Sequence, residues 1–136
     1  MNELTLEWLH KAEGDFATVG REVRARRRPN YDAACFHAQQ AAEKYLKAIL
    51  QECGAEVPRT HNLIELLERC LTFDASLEHT RDLLLVLDRY SVRYRYPGES
   101  AEKNEAQRAY RIVKEFRKVA CSRLRFWPDS RPPRTA

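Results

Sequence analysis

Between Pro29 and Gly54 the chain has neither glycine nor proline, and apolar residues return there every three or four positions. Ala34, Ala38, Ala41, Tyr45 and Ala48 form one stripe, and Cys35, Ala42, Leu46, Ile49 and Cys53 form an adjoining one. That spacing is the period of an α-helix, not of a strand. The small residues of the first stripe let another helix come close. Asn30 is a suitable N-cap, Asp32 places a carboxylate in the first turn, and Gly54 suits the end of the helix.

The same period recurs elsewhere. Leu4, Trp8, Ala12, Phe16, Val19 and Val23 mark one face of a first helix, expected from about Glu3 to Arg28, where Pro29 stops it. Arg24, Arg26, Arg27 and Arg28 suit the negative end of its dipole. Thr60 is expected to cap a short third helix with Leu63, Leu66, Leu67 and Cys70 on its core face. A fourth helix is expected to start near Asp74 or Ser76 and run to an Arg-Tyr-rich segment ended by Pro97-Gly98. Ser100 is expected to cap a fifth, with Ala106, Ala109, Val113, Phe116, Ala120 and Leu124 on one face. No segment alternates with a period of two, so no sheet is expected. The fold predicted is all-α: an antiparallel up-and-down helical bundle of four to five helices over residues 1–125. Residues 126–136, rich in proline and without a period, read as a flexible C-terminal tail.

Composition narrows the function classes. The 136 residues are the size of one domain, 43% hydrophobic and 32% charged, which is the balance of a globular protein rather than a disordered one. Four glycines are too scattered to build a phosphate-cradling loop. Cys35, Cys53, Cys70 and Cys121 form no CxxC pair and read as small buried hydrophobes of a reducing, cytoplasmic protein. His10 and His79 have no grouping that suggests a metal, and no metal or cofactor is expected. No apolar run is long enough to span a membrane. The net charge of +4 is compatible with an anionic partner.

Three polar sets stand out. On the second helix His37, Gln40, Lys44 and Lys47 follow one another at steps of three and four, so they project from one side. Ammonium and imidazole groups so arranged can hold a phosphate; the plainer reading is a solvated face with Glu43 as counter-charge. Arg89, Arg93, Tyr94, Arg95 and Tyr96 interleave guanidinium forks with stacking rings, a recipe for single-stranded RNA and also an ordinary way to end a surface helix. Arg108, Arg111, Lys114 and Lys118, with Glu105 and Glu115 among them, read as a solvent-facing ion-pair ladder. His61, just before the third helix, can face an anion or simply fasten a loop.

Four stretches occur together in a recognisable order: WLHKAEGD from Trp8, FHAQQAAEKYLKAIL from Phe36, THNL from Thr60 and RYP from Arg95. In this the chain resembles prokaryotic HEPN (higher eukaryotes and prokaryotes nucleotide-binding) domains over nearly its whole length. The resemblance implies a bundle of about five helices that pairs with a second copy. It further implies a minimal nucleotidyltransferase as partner in a toxin–antitoxin-like pair, and nucleotide or RNA as ligand. Several members of the family are metal-independent ribonucleases built on an Arg-x4-6-His motif. No arginine here is followed by histidine at that spacing, and no histidine follows RYRYPGES. The chain therefore resembles the subgroup without the catalytic pair, and the expectation is a binding protein rather than an enzyme. By position Lys44 and Lys47 match the family's EKxxKA helix, His61 its TH element, and Arg95 and Tyr96 its RYP. With His37, Gln40 and Arg93 they are the candidate binding or interface residues. The alternatives are a ribonuclease toxin with a non-standard site, in which His37 or His61 approaches Arg93 or Arg95, and a purely structural dimerisation module.

Overall fold

The computed structural model describes residues 1–128, and among these every regular element is helical. Five α-helices are present: α1 (Glu3–Arg24), α2 (Tyr31–Glu52), α3 (Leu63–Leu71), α4 (Arg81–Asp88) and α5 (Lys103–Leu124). Short 3-10 turns at Ala75–Thr80 and Arg89–Ser91 flank α4. As its two apolar stripes require, α2 is the central helix and packs against each of the other four.

Polar contacts between elements define the directions. Thr5 meets Glu52 and Asp15 meets His37, so α1 is antiparallel to α2. Arg117 meets Glu13 and Tyr110 meets Arg24, so α5 is antiparallel to α1. Leu63 meets Asp88 and Glu68 meets Arg81, so α3 and α4 are antiparallel. Between α2 and α3 the alternation is interrupted. Gln39 bonds the carbonyl of His61, and Cys70 bonds that of Leu46. The two helices run the same way, and residues 54–62 carry the chain back before α3 begins. Gly54 makes that departure feasible: it sits at φ 73°, in the left-handed region, while the Ala55 N–H closes onto Leu50.

Several expected boundaries shift. The first helix stops at Arg24 rather than Arg28, because Ala25 is already extended and Arg28 turns left-handed at φ 48°. The Glu22 carboxylate accepts the Asn30 N–H at 2.7 Å, so the reversal into α2 occupies the residues expected to be the last turn. Asn62, not Thr60, caps α3, accepting from the Glu65 N–H; the Thr60 hydroxyl instead accepts from Asn62. Glu102 rather than Ser100 precedes α5, with the Asp32 carboxylate holding the Ala101 N–H at 2.6 Å. The expected long fourth helix is a short α-helix between two 3-10 turns. It ends well before Pro97, because Tyr94 turns to φ 68° and stacks its ring on Tyr90. Phe126 lies against the bundle: its N–H bonds Cys121 and its ring meets His10 edge-on. Residues 129–136, the rest of the expected tail, lie outside the described residues.

Leu9, Tyr45, Leu46, Ile49, Leu66, Leu84, Leu87, Tyr90 and Phe116 are fully buried. Cys35, Cys70 and Cys121 are buried in the core, and Cys53 is half-buried. Burial, as the main cause, pushes the Cys35 and Cys70 thiols up to about 12, so neither is a ready nucleophile.

One carboxylate ties three helices together. Glu13 of α1 accepts the hydroxyl of Tyr45 from α2, and it accepts both arms of Arg117 from α5 at 2.8 Å. Burial pushes the Glu13 carboxyl up, but the bonds from Arg117 and Tyr45 outweigh it, and the group lies below the ordinary 4.5. A depressed carboxylate stabilises the fold fully above its unfolded value and loses that contribution as pH falls through the folded one. Glu13→Gln is therefore expected to flatten the loss of urea resistance on acidification below 4.5. Parallel denaturation curves of the two proteins at neutral and acid pH check this. A variant that loses as much as the parent protein would remove Glu13 from the account.

Candidate functional site

The polar face of α2 is built around two carboxylates. Asp15 sits between Ala12 and Val19 on the buried side of α1. Its Oδ1 lies 2.7 Å from His37 Nδ1 and its Oδ2 accepts Lys44 Nζ at 2.5 Å. Elsewhere on this face, Glu43 is only 4% exposed. Its Oε1 lies 3.0 Å from His61 Nδ1 and is approached by the amides of Gln39 and Gln40; its Oε2 accepts Lys47 Nζ at 3.1 Å. Lys47 is 7% exposed and also lies over the Trp8 ring. His61 is 74% exposed, held by Nδ1 at the edge of this cluster. Each lysine is thus matched by its own acid. Glu43 is the counter-charge the plainer reading supposed, but it is buried rather than solvated.

The Arg-Tyr segment behaves differently. Arg93 lies 4.9 Å from the centroid of Tyr94, whose ring rests on the buried Tyr90. Arg95 lies 5.7 Å from the centroid of Phe36 on α2 and anchors one nitrogen on the Ser91 carbonyl. Among the described residues no carboxylate reaches ion-pair distance of either guanidinium, whereas Arg81, Arg117 and Arg123 are all so paired. A hollow of about 360 Å³ opens between the two segments, lined by Asn30, Asp32, Ala33, Phe36, Arg93, Tyr94 and Arg95. Its one acid, Asp32, is already engaged with the Ala101 N–H. Tyr96, one residue beyond this lining, is 71% exposed. Tyr94 carries a ring at positive φ, a backbone state that costs energy and that collects at functional loops.

Of the residues singled out from sequence, Arg93 and Arg95 converge on this hollow. His37 adjoins it through Phe36, whose ring meets the imidazole edge-on at 5.5 Å, and Lys44 shares Asp15 with His37. Gln40, Lys47 and His61 gather instead around Glu43. Asp15, Phe36 and Gln39 were not singled out, although two of them left a trace. Asp15 is a carboxylate within the apolar stripe of α1, and Phe36 is an aromatic outside both apolar stripes of α2. Among the described residues no three His, Cys, Asp or Glu side chains group to hold a metal. None of their helices is long and apolar enough to cross a membrane.

Comparison with known proteins agrees with this architecture. The family model described as HEPN domain matches residues 5–124. Among solved structures, TT1696 from Thermus thermophilus is similar, with 26% identity and a TM-score of 0.71. The match covers 90% of this chain and 98% of that one. No curated protein matches.

Proposed function

Because the chain belongs to the HEPN domain family, we propose that it binds the phosphate of a nucleotide or RNA between Arg93 and Arg95, at the hollow beside Phe36. The observation that carries this is the pair of guanidinium groups mounted on aromatic faces with, among the described residues, no carboxylate at ion-pair distance. Such groups present a planar fork to a phosphate, and the ring beneath each limits the entropy lost on binding. Tyr96 offers a stacking face for a base. His37 and Lys44 extend the site along α2. The exposed His61, with Gln40 beside it, marks a separate polar edge suited to a protein partner, and Lys47 lies buried beneath it on Glu43. In the wider role we propose, a cytoplasmic homodimer of this chain works with a minimal nucleotidyltransferase as a toxin–antitoxin-like pair.

The test is titration of ATP and short single-stranded RNA against the parent protein and the Arg93→Ala/Arg95→Ala variant at two salt concentrations. Loss of two charge-assisted contacts is expected to weaken binding about a hundredfold. The RNA salt slope should fall by about 1.4 units. Equal affinity of variant and parent defeats the reading. A ribonuclease is the second reading, favoured by the carboxylate-held His37 whose neighbour Phe36 lies under Arg95: a base there would take the ribose 2′-hydroxyl proton as that oxygen attacks the phosphate, the bond to the 5′-oxygen breaks and that oxygen leaves protonated. RNA left intact by the parent protein during the same titration, run with a chelator, removes it.

A further inference from the structure

Gly20 lies buried within α1, where a glycine costs about 1 kcal/mol relative to alanine. The Arg24 guanidinium occupies the freed space: a Cβ at Gly20 would meet Arg24 Nη1 at 3.0 Å and Nη2 at 3.1 Å. Lying back along the helix, Arg24 donates to the Tyr110 hydroxyl of α5 at 3.4 Å. Lys114 holds its ammonium 5.8 Å from the centroid of the same ring. Tyr110 is itself stacked on Phe16, so the platform under both cations is fixed. Arg21, one turn back on α1, is held by the Thr18 hydroxyl.

The basic strip of α5 is not the ion-pair ladder its spacing suggested. Arg108 reaches Glu105 at 3.9 Å, but among the described residues Arg111, Lys114 and Lys118 have no carboxylate partner. The nearby acids are engaged elsewhere: Glu13 with Arg117 and Tyr45, Glu22 with the Asn30 N–H. Glu115 faces solvent without reaching Lys114. Among the described residues two cations thus share one tyrosine and no acid, an arrangement whose mutual repulsion an anion would relieve. The seam is also continuous with the proposed site. Arg111 lines a hollow of about 660 Å³ together with Arg93. Glu99, Glu102 and Glu105 line that hollow too, and of these Glu105 is paired with Arg108. From Arg108 to Lys114 one face of α5 advances about 9 Å.

Resting on the reading above, we infer that the α1–α5 seam at Tyr110 is a second phosphate-contact site, and that the ligand is a nucleic-acid strand reaching from the Arg93–Arg95 loop across Arg111 to Arg24 and Lys114. A mononucleotide satisfies the loop alone; a strand satisfies both.

Fluorescence anisotropy tests this with ATP and with a single-stranded RNA of about twelve nucleotides. The proteins are the parent, Arg24→Gln/Lys114→Gln, Arg93→Ala/Arg95→Ala, and a charge-matched control, Arg59→Gln/Arg69→Gln, on exposed positions around α3. The seam variant is expected to bind the oligomer about tenfold more weakly, with a salt slope shallower by about 1.4 units and ATP affinity unchanged. The control should bind like the parent. Oligomer affinity unchanged in the seam variant, or lost equally in the control, overturns the seam, while a loss in the loop variant still upholds the loop. An oligomer that depends on the seam but not the loop leaves the seam standing and defeats the loop reading. Poly-glutamate competing as well as RNA would make the partner an acidic protein and overturn the nucleic-acid assignment, as would a parent protein that binds no RNA.

Discussion

Glu43→Ala is expected to lower the free energy of unfolding by about 3–5 kcal/mol, a large part of what a domain this size has. The carboxylate is 4% exposed and the Lys47 ammonium it neutralises is 7% exposed. Removing the acid leaves the lysine buried with only the Trp8 ring for company. The amides of Gln39 and Gln40 lose only their longer contacts, at 3.5 Å, and keep the His61 carbonyl and Gln39 Oε1 respectively. The loss therefore comes from the lysine, because an uncompensated buried charge has given up water without replacing it. The double variant Glu43→Leu/Lys47→Met removes both charges and fills the space, and is expected to recover most of the loss. Urea denaturation of the three proteins measures the difference. A single variant within about 1 kcal/mol of the parent would mean that the pair is not desolvated in solution.

The second large effect is at Phe116. Its ring is fully buried and leans on Tyr45 with centroids 6.5 Å apart. Phe116→Ala is expected to cost about 3–5 kcal/mol, from lost burial and from the cavity left between α2 and α5. Phe116→Leu, which keeps most of the volume, should cost about 1.5 kcal/mol or less. The contrast separates packing from the polar link beside it, since Tyr45 also donates to Glu13. Thermal or urea unfolding reads both variants. Equal losses for alanine and leucine would point to ring-specific contacts with Tyr45 rather than to cavity volume.

The helices were legible because burial imposes a period on the chain, and α2 carries that period without interruption. Positions such as Ala38, Ala41, Leu46 and Ile49 were marked as apolar stripes and are fully buried. The end of α1 was less legible. Its last expected turn is undone by a bond between Glu22 and Asn30, eight positions apart, which no local propensity contains. The same holds for the short α4, whose end depends on where the ring of Tyr94 can rest.

Among the polar residues the division is electrostatic. Spacing identified Lys44 and Lys47 on one face of α2, and Arg93 and Arg95 in one short segment, as groups of like charge. Spacing carries no information on which of them would meet a carboxylate brought from elsewhere. Packing of α1 against α2 supplies Asp15 to Lys44, and the turn geometry of α2 itself supplies Glu43 to Lys47. The loop after α4 brings Arg93 and Arg95 to aromatic faces and, among the described residues, within ion-pair distance of no acid. The sequence by itself determined an all-helical domain of this family, because periodicity and motif order are properties of the chain. Which cations remain free to receive a phosphate was decided only by the tertiary structure, because charge neutralisation depends on distances between residues far apart along the chain.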